Sequence, residues 1–173
     1  MKLLLLLFLI SANLDAQDLP RAFTDNKSIP RWVKQEFVKR RMYRDYSITF
    51  QMSPSYARGD FNGDGRRDCA FLIQEKSSLK FGIAIFHTKA PQLMHIQTVF
   101  VVGAGKAVPD LGNDIKWANF WRTYPRDEAS GEIERSILVP VLKADAIHIE
   151  KRGKKRGLLY WTGRKYVWHK LKK

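Results

Sequence analysis

The sequence predicts an α+β, β-rich domain: mostly antiparallel strands and hairpins with one short N-terminal helix. Three observations carry that expectation. Short apolar or alternating runs recur along the chain, separated by glycine, proline and polar turn residues. A single stretch near the start has apolar residues at helical spacing. One loop rich in Asp, Asn and Gly, at 60–68, stands between two extended segments.

Lys2 gives a short positive start, and residues 3–10 form a leucine-rich segment too short to span a bilayer. Ser11-Ala12-Asn13-Leu14-Asp15-Ala16 then leads to a cleavage site after Ala16. Residues 1–16 are therefore expected to be a signal peptide, and the product to be secreted or periplasmic. Residues 17–173 are expected to form a single β-rich domain, long enough for a real core. Cys69 is the only cysteine, so no intrachain disulfide can form, and it reads as a small buried hydrophobe. No other segment approaches transmembrane length.

The helix is expected from Pro30, which suits a first helical position. Val33 and Phe37 then share a face, with Lys34, Lys39, Arg40 and Arg41 largely elsewhere. Residues 56–59 read as extended, and 69–73 as a short buried strand. A polar turn at 75–80 leads to 81–86, so these two runs should pair as a hairpin. Residues 94–102 form another β-rich run, ending at Gly103-Ala104-Gly105. The segment 110–131 reads as irregular or partly helical. Residues 137–141 are a further strand candidate, with Pro140 pointing to an edge. Residues 146–150 alternate, placing Ile147 and Ile149 on one side, His148 and Glu150 on the other. Residues 158–161 and 165–170 flank a Thr162-Gly163 turn, completing a basic C-terminal hairpin region at 146–173.

The 60–68 loop is the one motif with definite chemistry. Asp60, Asn62 and Asp64 lie two residues apart and can turn their oxygens toward one centre. Gly65 occupies the sixth position, where a positive φ is needed. Arg66 would offer its backbone carbonyl, and Asp68 a carboxylate, directly or through water. Calcium takes about six to eight hard oxygen ligands at flexible geometry, and this is such a set. The twelfth position is Phe71 where an EF-hand has a bidentate Glu, and no helical pattern follows. The loop should connect strands. Arg58, Arg66 and Arg67 add positive charge nearby, so binding should be weak, on the order of 10⁻⁴–10⁻³ M. Arg58-Gly59-Asp60 spells an adhesion tripeptide, which competes with a calcium role for Asp60 and reads as chance.

Gly59-Asp60-Phe61-Asn62-Gly63-Asp64-Gly65, followed by Asp68-Cys69-Ala70, resembles the GDFNGDGxxDLA signature of FG-GAP/VCBS repeats, including the calcium loops of integrin-type β-propellers. The resemblance implies a strand–loop–strand hairpin with calcium held by Asp60, Asn62, Asp64, the Arg66 carbonyl and Asp68. Cys69 stands where that signature has leucine. A complete propeller is not expected, because blades recur and the motif occurs once. Residues 143–168, with Asp145-Ala146-Ile147 and Tyr160-Trp161-Thr162-Gly163, are also similar to the ends of small secreted bacterial proteins that carry a single such loop.

The formal charge is +14, from 31 Lys and Arg against 17 Asp and Glu. Residues 151–173 hold many cations and no acid, interleaved with Tyr160, Trp161, Tyr166 and Trp168. Such interleaving can grip nucleic acid. For an exported chain, anionic polysaccharide, lipid headgroups or a protein partner are the better expectation. A solvated hairpin whose aromatics face the core explains the same pattern. Catalytic patterns are missing at the level of spacing. His87, His95, His148 and His169 are scattered, and Gly103-Ala104-Gly105-Lys106 lacks the earlier glycine and following Ser or Thr of a phosphate loop. Asp127, Glu128, Glu132 and Glu134 read as solvated acids. The expectation is a non-catalytic, exported calcium-binding domain with an anionic partner. The alternatives are an inhibitor or immunity-type protein capping a secreted enzyme, and a hydrolase whose acids converge only in the fold.

Overall fold

The computed structural model describes residues 21–88, 98–127 and 140–171. The expected signal peptide at 1–16 lies outside the described residues, as do 94–97 and 137–139 of two expected strands, and His95, Glu128, Glu132 and Glu134. In chain order the elements are α1 (Arg21–Thr24), α2 (Arg31–Lys39), α3 (Met42–Asp45), β1 (Tyr46–Ile48), β2 (Tyr56–Gly59), β3 (Asp68–Glu75), β4 (Phe81–His87), β5 (Thr98–Gly103), β6 (Phe120–Tyr124), β7 (Ala146–Lys151), β8 (Lys155–Trp161) and β9 (Tyr166–Lys170).

Two antiparallel sheets result. In the first, β3 pairs β4 and β4 pairs β5, while β1 and β2 share the other edge of β3 end to end. The second is a meander, β6-β7-β8-β9. The fold is β-rich α+β with open sheets, and not a full propeller.

β3 and β4 are the centre, and their sequence explains why. A strand covered on both faces has no polar side to show, so it reads as a continuous apolar run. Every residue of β4 is buried. Alternation then sorts the side chains. Cys69, Phe71 and Ile73 of β3, with Ala84 and Phe86 of β4, face the helices, packing on Phe23, Val33 and Phe37. Ala70, Leu72, Ile83 and Ile85 face the second sheet, meeting Trp121, Ile147, Ile149 and Leu159. The order of layers is therefore helices, first sheet, second sheet. Each fully buried large apolar side chain contributes roughly 1.5–3 kcal/mol.

Several boundaries differ from the sequence expectation. Pro30 caps α2 from just outside it. Residues 158–161 are the end of a longer strand, β8, and residues 98–102 of the 94–102 run lie in β5, which continues to Gly103. Val141 is exposed and lies in no strand. The 110–131 segment contains β6, an edge strand hidden from sequence reading by its polar residues Arg122 and Thr123. The N–H groups of Gly103, Ala104 and Gly105 are spent on the carbonyls of Lys106, Phe81 and Asn113, so this turn cradles no phosphate. Among the described residues no helix is long and apolar enough to cross a membrane.

Candidate metal loop at the junction of the sheets

The 60–68 loop joins β2 to β3, with Gly59 paired to Asp68 across its base. Asp60 organises it. Its Oδ1 accepts the backbone N–H of Gly63 at 2.8 Å and of Asp64 at 3.0 Å, and its Oδ2 accepts that of Gly65 at 2.9 Å. Asn62 Oδ1 accepts from Asp64 N at 3.0 Å, and Asp64 Oδ1 from Arg66 N at 2.9 Å. Asn62 Nδ2 donates to Asp64 Oδ2 at 3.1 Å. Gly63 and Gly65 both adopt the left-handed conformation, φ +80° and +81°, which lets the chain curl over these oxygens.

Asp68 differs from Asp64 in burial, since the Asp64 side chain is exposed. Asp68 is fully buried, where its Oδ2 accepts Phe61 N at 3.0 Å and its Oδ1 accepts Thr88 N at 2.7 Å. Burial pushes its carboxyl up to about 7, with Asp64 and Asp60 adding to the rise; the Thr88 and Phe61 N–H groups pull the other way. Phe61 is also fully buried and anchors the loop in the inter-sheet core. Beneath it, His87 Nε2 and Tyr166 Oη lie 2.7 Å apart in a buried hydrogen bond. Burial, then the negative charges of Asp68 and Asp60, raise the Tyr166 phenol above its usual range.

Asp145, just before β7, was not singled out as a site residue by its spacing, because it acts from 85 positions away. Its Oδ2 accepts Asp60 N at 2.9 Å, its Oδ1 accepts Arg126 N at 3.0 Å, and its own N–H donates to Asp60 O at 2.9 Å. Thr123 Oγ1 donates to Arg58 O at 2.8 Å beside it. The two sheets approach closely at Gly59: a Cβ there would lie 2.9 Å from Asp145 Oδ2, Phe61 Cε1 and Thr123 Cγ2. The loop is thus the place where the first sheet is tied to the second. Asp145-Ala146 was legible only as part of a resemblance, with no role attached.

The donor chemistry can be tested against a hard cation. Among the described residues no three His, Cys, Asp or Glu side chains are gathered into a group that could hold a metal ion. The oxygens nonetheless keep capacity. A carboxylate offers about four lone-pair positions, and Asp60 Oδ2, both oxygens of Asp64 and both of Asp68 each accept one hydrogen bond. All the side-chain donors are oxygens, as calcium requires. Arg58 stacks over the Tyr56 ring, 5.0 Å from its centroid. The set fits calcium in composition and needs side-chain rotation to converge.

The other titratable candidates are dispersed. His148 Nε2 lies 3.9 Å from Glu150 Oε2 on the far face of β7, and Asp127 is an exposed acid 3.9 Å from Arg126. Burial raises the Cys69 thiol to about 11, with nearby Arg58 opposing, so it stays a protonated core residue at neutral pH. Comparisons with protein-family models, curated proteins and solved structures found no match.

Proposed function

We propose that this protein is an exported, non-catalytic domain whose 60–68 loop binds calcium, and that the ion braces the junction of the two sheets for contact with an anionic envelope or extracellular partner. The observation that carries the reading is the double role of Asp60: its carboxylate shapes the loop while its backbone is bonded to Asp145 at the second sheet. Whatever orders Asp60 also orders the junction. Asp60, Asn62, Asp64, the Arg66 carbonyl and Asp68 would hold the ion. Bound calcium would supply positive charge to three carboxylates that otherwise repel one another.

Melting curves in chelator and in calcium test this. With calcium at about 1 mM and a dissociation constant near 0.1 mM, linkage adds about 1.4 kcal/mol. Asp60→Ala and Asp64→Ala should each erase the calcium-induced rise in Tm. A parent protein whose Tm ignores calcium, or variants that respond as the parent does, would remove the assignment.

A further inference from the structure

Five cations of the second sheet lie around its end away from the loop. β7 starts beside Asp60 and runs to Lys151, about 17 Å along the strand. There the β7–β8 turn and the end of β9 enclose a cavity of about 640 Å³. Lys151, Lys154, Lys155, Arg156 and Lys170 line it, against the single carboxylate of Glu150.

We propose that this cavity binds a group carrying two or more phosphate charges, and so is where the anionic partner is held; this clause rests on the functional reading above. Lys151, Lys154 and Lys170 form no ion pair among the described residues, which leaves their charges available to a ligand. Lys155 is already fixed in place. Its Nζ donates to Asp110 O at 3.1 Å and Leu111 O at 3.3 Å, and sits 4.4 Å from the Trp117 ring centroid and 5.9 Å from that of Trp168. A cation held this way loses little freedom when an anion arrives. Burial, then the charge of Lys170, lowers the Lys155 pKa, and the Asp110 carboxylate opposes the shift.

Four of the five cations are lysines, compact point charges that suit a multiply charged phosphate group without demanding a planar bidentate geometry. The two tryptophans are engaged with Lys155 and with each other, at 6.2 Å between centroids, and do not offer open faces for nucleobases. Among the described residues the large exposed hydrophobics, Phe50, Leu79 and Val141, are not in the lining, so none of them offers a bilayer an apolar wedge there.

The test is calorimetric titration with tripolyphosphate in calcium-free buffer at low and physiological salt, repeated with the Lys151→Ala/Lys154→Ala/Lys170→Ala variant. A Lys27→Ala/Lys34→Ala/Lys39→Ala variant, at and before α2, matches the loss of charge elsewhere. The parent should bind, the cavity variant about tenfold or more weakly, and the helix variant within about twofold of the parent. Sedimentation with phosphatidylglycerol and phosphatidylcholine vesicles separates the sources. Retention on the former that tripolyphosphate reverses assigns a lipid headgroup; tripolyphosphate binding with no retention assigns a soluble phosphate polymer. Either supports the site. No binding by the parent, equal binding by the cavity variant, an equal loss in the helix variant, or tighter binding of single-stranded oligonucleotide than of tripolyphosphate overturns it. The calcium-induced Tm rise, measured separately, reports whether the cavity variant is folded and whether the loop reading stands without the cavity.

Discussion

Removing the Asp145 carboxylate should uncouple the sheets. It accepts two backbone N–H groups, from Asp60 at 2.9 Å and Arg126 at 3.0 Å. A hydrogen bond to a charged acceptor nets about 1.5–3 kcal/mol, and this site is only half-buried, so the lower end applies. Asp145→Ala should therefore cost about 2–3 kcal/mol, since water can replace the acceptor for Arg126 more readily than for Asp60. The carboxylate also fills the space above Gly59, where a Cβ would stand 2.9 Å from Oδ2. Asp145→Asn keeps the shape and one acceptor, so about 1 kcal/mol should be lost. Urea denaturation in chelator measures both, with the slope checking that the transition stays two-state. An Ala variant within about 0.5 kcal/mol of the parent, the range of an ordinary surface change, would refute the role of Asp145 in tying the sheets together.

Asp68 gives a pH signature. Its folded pKa is raised to about 7, so the folded state holds the proton more tightly than the unfolded chain does. In chelator its contribution to stability should be complete below about 4 and lost as pH rises through about 7. Asp68→Asn should flatten that part of the Tm profile; an unchanged profile would show that another group carries it. Calcium favours the ionised carboxylate, so its stabilisation should grow over the same interval. Gly82→Ala places a Cβ 2.5 Å from both Ala104 N and Val102 O, backbone atoms that cannot rotate away. It should cost about 3 kcal/mol by overpacking, and a Tm equal to the parent's would show that the β4–β5 pairing yields more easily than its geometry implies.

Local chemistry was legible in the chain. The hairpin of β3 and β4 follows from two apolar runs around a polar turn, and it pairs with Leu72 opposite Ile83. The alternation at 146–150 placed Ile147 and Ile149 together, and both are fully buried between the sheets. Gly65 was expected at positive φ and adopts it. β6 was not legible. Phe120-Trp121-Arg122-Thr123-Tyr124 is held as a strand by pairing with 146–150 and by the burial of Trp121, both set by distant partners. β1 likewise exists because Tyr46, Ser47 and Ile48 find an edge of β3 to join.

The sequence by itself determined the short-range chemistry: a curled oxygen-rich loop, strands of period two, and a cationic C-terminal hairpin. These depend on neighbours within a few positions, where spacing alone sets which side chains can meet. Only the tertiary structure decided that Asp60 is bonded to Asp145, that Asp68 is sealed beneath the loop, and that Lys155 lies between two tryptophans and two carbonyls. The Asp60–Asp145 and Lys155–Asp110 contacts join residues tens of positions apart. Which of them form is fixed by how two sheets bury their apolar faces together, and no local pattern encodes that choice.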